Sequence, residues 1–444
     1  MKSVAEVVQE VVKHGSQMQI DQIEAYASKV RELEVEVTEA KVENLQQAAE
    51  TGLSVRAIID NRLGFAYTTD LSAEGIKKVV QEALDISKVV PADQLFALPE
   101  PAPFADLELV DPDYDQVSVE EKINLAKQIE RAALEYDSRV RKVRMAKFSE
   151  RVYDVAIANS LGLAANYSGT GFSGFVMAIA GADGVSETGF GFDFGHRLAK
   201  LDPLGIGVEA AKRSVEMLGA RKVSSQRADV IFDPTVATEF LGVIAPALTG
   251  DAVQKGKSLF HDKQGQRIAS EVVTLVDDGR QLQGAAAAPV DDEGIPTKRT
   301  ELITSGVLQG FLHNLYTAAK AGVQSTGNGW RSSFRGRPES SASNFYLLPG
   351  EKSPEAIISG VNRGLYVTSV MGMHTANPIS GDFSVGASGL WIENGEITYP
   401  VRGVAIAGNI VDFLKSIVEV GNDLRFIGST GSPTFRVAGI SISG

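Results

Sequence analysis

Apolar residues near the start of the chain recur three and four positions apart. Val4, Val7, Val8, Val11 and Val12 fall on one face of a helix. Ser3 and Glu6 have the spacing of a capping box, which satisfies the free N–H groups of a first turn, and Gly15 can end the helix. At Glu32–Val37 the period changes to two. Leu33, Val35 and Val37 take one face of a strand, and Glu32, Glu34 and Glu36 take the other. Gly52–Ile59 and Leu63–Thr68 predict two more strands. A second helix is predicted over Ser72–Ser87, burying Ile76, Val79, Val80, Ala83 and Leu84.

A proline-rich stretch interrupts the pattern. Pro91, Pro99, Pro101, Pro103 and Pro112 are five of the chain's 16 prolines, and proline excludes helix interiors and central strands. The first order of elements then recurs. Ser118 and Glu121 form a second capping box, opening a helix to Tyr136. Strands are predicted over Val140–Ala158, Gly162–Tyr167, Phe172–Ala180 and Val185–Phe194, then a helix over Pro203–Leu218. From Val223 the chain becomes rich in glycine and short strands, with one apolar helix at Val236–Leu248. Strands are expected at Val272–Val276 and Glu301–Leu312, and again between Tyr366 and Ile442, including an Asn394-Gly395 hairpin turn. The expected fold is α+β: an N-terminal α+β domain of two similar subdomains, and a β-rich C-terminal domain with few helices. The boundaries read as 1–90, a linker at 91–117, 118–222 and 223–444.

Composition narrows the function. The 444 residues are 43% hydrophobic and 22% charged, as in a globular protein, and carry a net charge of −13. That balance opposes a general nucleic-acid surface. The basic run Arg139, Arg141, Lys142, Arg144 and Lys147 reads as one exposed strand face. No apolar run is long enough to span a bilayer, and the N-terminus carries acids where a secretory signal would be apolar. Cysteine is absent, which fits the cytoplasm.

Candidate chemistry is sparse. The five histidines (His14, His196, His261, His313, His374) are scattered, with no H-E-x-x-H and no cysteine pair. The nucleophile elbow G-x-S-x-G does not occur. Gly169–Gly174 matches G-x-G-x-x-G, but strand-like residues follow it, so it reads as a hairpin turn and not a phosphate loop. Asp277-Asp278-Gly279 and Asp291-Asp292-Glu293-Gly294 read as acidic turns. The polar segment Asn328–Asn344 holds Arg331, Arg335 and Arg337, whose guanidinium forks suit a carboxylate or a peptide backbone. Asn328, Arg331, Arg335 and Asn344 are therefore the candidate contacts to substrate or partner.

Several blocks together resemble the TldD/PmbA family, also called the modulator of DNA gyrase family. They are GDAVQKGKSLF from Gly250 to Phe260, Val276–Gly279, Asp292–Pro296, Asn344–Gly350, Ile392–Gly395 and Gly421–Leu424, with Asn159–Gly162 in the N-terminal half. In one branch of that family, H-E-x-x-x-H precedes the first block and a C-terminal cysteine adds a zinc ligand. Here the corresponding positions are Leu241 and Pro246 for the ligands and Gly242 for the base, and cysteine is absent. The chain thus resembles the TldE or PmbA branch, which lacks the zinc motif. The resemblance implies a non-catalytic subunit, with no catalytic residue, metal or cofactor of its own. It would pair with a TldD-like zinc-binding subunit, and the pair would degrade short or unfolded peptides, in settings that include peptide-antibiotic maturation and antitoxin degradation. The alternatives are a stand-alone homodimer that binds peptides without a peptidase role, and an enzyme with an independent site near Arg331. None of these readings calls for nucleic acid or a membrane.

Overall fold

Period-two alternation over long strands sets the N-terminal architecture of this computed structural model, which describes residues 2–18 and 20–444. Its first unit is α1 (Val4–Gly15), β1 (Gln22–Thr38), β2 (Lys41–Ile59), β3 (Arg62–Thr68) and α2 (Ala73–Ser87). Its second is α3 (Val119–Tyr136), β4 (Val140–Asn159), β5 (Ala164–Ala182), β6 (Val185–Gly195) and α4 (Pro203–Glu216). Both capping boxes form as their spacing predicts, on α1 and α3. Helix, three strands and helix thus occur twice, and the two units share one sheet of order β3-β2-β1-β4-β5-β6. β1 and β4 pair antiparallel at its centre.

All four helices lie on one face of that sheet. Ile23, Ala25 and Ala27 of β1 pack with Val7, Val11, Val79 and Val80 under α1 and α2. Leu33, Val35 and Val37 pack with Ile129, Phe148 and Ile206 under α3 and α4. The alternate residues of β1, from Glu24 through Tyr26 to Glu36, therefore face the other side. The proline-rich stretch runs without helix or strand from Pro91 to Val110, and Leu98 and Leu109 along it are buried.

Two strand predictions are corrected here. Gly162–Tyr167 and Phe172–Ala180 are one strand, β5, and the Gly169–Gly174 match sits in its middle, not in a hairpin turn. Its glycines leave room for neighbours. A Cβ on Gly169 would lie 2.3 Å from the Tyr153 ring, and one on Gly174 would lie 2.5 Å from Ile206 and 2.9 Å from Ile129.

The C-terminal half begins with β7 (Gln226–Phe232), α5 (Pro234–Ile244), α6 (Gly250–Gln254), β8 (Leu275–Asp278), β9 (Arg299–Thr304) and β10 (Val307–Leu308). It continues with α7 (Leu315–Ala321), β11 (Gly329–Trp330), β12 (Glu339–Ser340), β13 (Phe345–Leu347), α8 (Pro354–Ser359) and β14 (Arg363–Met371). The last elements are β15 (Asp382–Glu393), β16 (Glu396–Asn409), α9 (Ile410–Lys415), β17 (Ile417–Val420), β18 (Arg425–Ile427), β19 (Thr430–Ser432) and β20 (Phe435–Ser443). They build two six-stranded sheets, β10-β9-β8-β13-β19-β18 and β16-β15-β14-β7-β20-β17. In the second, β16 also pairs with β20, which closes the edge. The apolar helix α5 is the hub between the sheets. Phe240 stacks on Phe413 with centroids 4.8 Å apart, and Phe232 packs edge-on to both. The predicted helix at Val236–Leu248 leaves α geometry at Ile244 and tightens into a 3₁₀ turn, Ala245–Leu248, around Pro246. No helix among the described residues is long and apolar enough to cross a membrane.

Candidate functional site

The helix-free face of the N-terminal sheet and the C-terminal domain enclose a cleft of about 640 Å³. β1, β2, β4 and β5 supply one wall through Tyr26, Glu32, Ala48, Arg151, Tyr153 and Tyr167. Ala285–Ala288, Asp292, Trp330 and Arg331 supply the other. A smaller extension of about 220 Å³ continues past Ser28, Val30 and Glu50 to Phe334. Glu32 and Glu34, which share a strand face by alternation, do line this cleft. Arg151 and Lys147 neutralise them across the sheet, at 3.7 Å and 2.8 Å respectively.

One end of the cleft is closed by buried charges. Arg56 on β2 holds Glu24 on β1 with both ends of its fork, at 2.8 Å and 2.5 Å, and reaches Glu293 at 2.9 Å. Arg331 reaches the same Glu24 at 2.7 Å, donates its backbone N–H to Asp292 at 2.7 Å, and lies 4.8 Å over the Tyr26 ring. Burial disfavours the charge on Arg56, but Glu24 and Glu293 together outweigh it and hold the guanidinium firmly protonated. Burial likewise pushes Asp292 up to about 6, against the N–H and charge of Arg331. Tyr153, facing the cleft, is pushed up to about 12 by burial, so its hydroxyl stays neutral and can donate.

The four candidate contacts separate in space. Arg331 lines the cleft and carries the ion network. Arg335 is exposed and pairs with Glu50 at 2.5 Å beside the cleft extension. Asn328 and Asn344 are buried in the C-terminal domain. Asn328 donates to Asp277 at 2.7 Å, which Ser343 also holds through its N–H and hydroxyl, both at 2.7 Å. Burial pushes Asp277 up to about 7 in spite of these donors. Asn344 accepts from the Ala286 N–H at 2.9 Å and so positions the alanine wall. Part of the polar segment is ordered as a short ladder, β11 with β12.

The acidic run Asp291–Glu293 does form a turn, but turn formation does not account for it. All three side chains are buried. Asp291 accepts N–H groups from Glu293, Ile295 and Gly329, and Glu293 accepts from Leu315 N–H as well as Arg56. Asp277, of the other acidic turn, is the third residue of β8. Sequence reasoning missed Glu24, Tyr26, Arg56, Tyr153 and Tyr167. Only the alternation of β1 hinted at two of them, since it puts Glu24 and Tyr26 on the face of Glu32.

Three family models cover most of the chain: the PmbA/TldA metallopeptidase domain 1 at residues 23–87, its central domain at 112–218 and its C-terminal domain at 225–444. The chain is 33% identical over 434 residues to Metalloprotease PmbA of Escherichia coli O157:H7, covering 94% of this chain and 92% of that protein. The chain belongs to the TldD/PmbA family. Its fold matches that of a Thermotoga maritima protein described as a modulator of a DNA gyrase, with a TM-score of 0.92 at 29% identity over 99% of this chain and 100% of that one. It also matches TldE from Thermococcus kodakarensis, with a TM-score of 0.91 at 25% identity and the same coverage.

The metallopeptidase names in the TldD/PmbA family raise the question of whether residues here fit a metal. At the positions set by the resemblance, Leu241 is buried in the hub core on α5, Gly242 faces open space, and Pro246 shapes the 3₁₀ turn. None has a side-chain nitrogen, oxygen or sulfur, so this donor set does not fit zinc. Among the described residues, no three His, Cys, Asp or Glu side chains cluster to hold a metal.

Proposed function

We propose that this chain is the non-catalytic, metal-free subunit of a two-subunit zinc metallopeptidase acting on short or unfolded peptides. The observation that carries the reading is the donor-free set Leu241, Gly242 and Pro246 on a helix that keeps the fold of a metallopeptidase family. Zinc then belongs to a TldD-like partner, and this chain contributes a wall of the peptide path. The cleft supports that role. Its aromatic rings and neutralised carboxylates offer contact without strong charge selection, which suits extended chains of varied sequence. Purification of the chain alone, with metal analysis and a peptidase assay, is the test. Neither zinc nor cleavage is expected from it alone, and both are expected on co-expression with a TldD-like subunit. Stoichiometric zinc with cleavage by the isolated chain would overturn the proposal.

The cleft also suits a second reading, a stand-alone homodimer that binds peptides without cleaving them. A genome that encodes this chain but no relative with H-E-x-x-x-H ahead of a G-D-x-x-x-K-G block would favour it.

A further inference from the structure

The carboxylates that line the cleft are engaged at hydrogen-bond distance, with one exception. Glu34 holds Lys147 at 2.8 Å, Glu150 holds Lys122 at 2.7 Å, and Asp292 accepts the Arg331 N–H at 2.7 Å. Glu32 is the exception, more than half exposed and 3.7 Å from Arg151 Nε. The two cleft guanidinium groups differ in the same way. The fork of Arg331 is fully used, by the Asp292 and Gly336 carbonyls and by Glu24. Arg151, in the middle of β4, keeps 60% of its side chain exposed. Among the described residues, the one carboxylate within 4 Å of it is Glu32, which stands too far for a hydrogen bond.

The neighbours of Arg151 are hydroxyl groups. Alternation along β4 puts Ser149 and Tyr153 on its face, and the register with β5 puts Gly171 opposite it, with Gly169 and Ser173 on either side. Tyr153 reaches over Gly169, where a Cβ would lie 2.3 Å from its ring, and stands edge-on to Tyr167. Ser149, Tyr153, Tyr167 and Ser173 all line the cleft. Arg151 lies 5.8 Å over the Tyr153 ring and lines both the cleft and its extension. The floor of the cleft thus offers a guanidinium fork among hydroxyls, with no acceptor bonded to it.

We propose that Arg151 binds a carboxylate of the peptide in the cleft, through the two Nη groups that face away from Glu32. A guanidinium has five N–H donors, so Nε can stay with Glu32 while the Nη edge takes both oxygens of the ligand. A cationic group would instead meet this guanidinium beside carboxylates already neutralised. Glu32 competes for the fork and keeps the attraction modest, which suits a ligand that must leave again. A peptide C-terminus and an acidic side chain both supply the group. The inference rests on the reading of the cleft as a peptide path.

The test is calorimetric titration of the full chain with N-acetylated octapeptides of alanine, serine and leucine in three forms: C-terminal acid, C-terminal amide, and the amide with one internal glutamate. At least one carboxylate form should bind about tenfold more tightly than the plain amide, and which one does so identifies the source. Arg151→Gln should erase that preference, Arg151→Lys should keep a smaller one, and Glu32→Gln should enlarge it. The opposite signs at two paired residues are what a merely structural role would not produce. Equal binding of the three forms would overturn this proposal alone, as would a preference that survives Arg151→Gln. Failure of all three to bind would overturn it together with the peptide-path reading.

Discussion

Arg56 Nη1 stands 2.9 Å from Glu293 Oε1, and this one contact ties the middle strands of the N-terminal sheet to the acidic turn of the C-terminal domain. Both side chains are buried, and Arg56 also neutralises Glu24. Arg56→Met leaves these carboxylates without their shared cation. A loss of about 3–5 kcal/mol in unfolding free energy is expected by urea denaturation. A change below 1 kcal/mol would show that the network is not what joins the halves.

Arg331 and Arg335 are close in sequence and opposite in role. Arg331 is buried on Glu24 and Asp292, whereas Arg335 is a surface ion pair. Arg331→Ala should lower the thermal midpoint clearly, and Arg335→Ala should leave it unchanged. Equal effects in a melting experiment would contradict this division.

Leu241 packs in the hub core, 3% exposed. Leu241→Ala should cost about 2–5 kcal/mol through lost packing and the cavity it leaves. Leu241→His should also destabilise and should not create stoichiometric zinc binding, because Gly242 and Pro246 supply no second donor. Metal analysis of the purified variant checks the second point.

Burial raises Asp277 from 3.8 to about 7 and Asp292 from 3.8 to about 6. Both carboxyls therefore hold protons in the folded chain at pH values where the unfolded chain has released them. The folded state binds more protons between pH 4 and 7, so their contribution to stability is complete below about pH 4 and is lost as pH rises through 6 to 7. For Asp277 alone the span corresponds to at most roughly 4 kcal/mol. Stability of Asp292→Asn should fall less steeply over pH 5–7 than that of the unmodified chain. Parallel curves from denaturant titrations would refute the assignment.

The chain has two tryptophans, and they separate cleanly. Trp330 lines the cleft and Trp391 is 1% exposed in the C-terminal core. An unfolded peptide that enters the cleft should change the emission of the wild type, and Trp330→Phe should abolish that change. Tyr153→Ala should weaken binding about tenfold, the scale of one lost aromatic contact of roughly 1.5 kcal/mol. An emission change that survives Trp330→Phe would place the peptide elsewhere.

Local pattern determined much of this protein. The capping boxes at Ser3 and Ser118, the apolar stripe of α1 and the alternation of β1 depend on neighbours a few residues apart, so they are legible in the sequence. So was the order of helix, strands and helix that occurs twice, and so was the family, through its blocks. The cleft was not legible. Its ion network joins Glu24, Arg56, Asp292, Glu293 and Arg331, and Arg331 meets Glu24 across 307 positions of chain. Nothing periodic connects such residues. The same limit explains the Gly169–Gly174 match, whose glycines make room for Tyr153, Ile129 and Ile206 from other elements. It also explains Asp291–Glu293, three acids that read as a turn until tertiary packing buries them. Spacing within an element is a local property of the chain, whereas burial and pairing between elements exist only once the tertiary structure has brought them together.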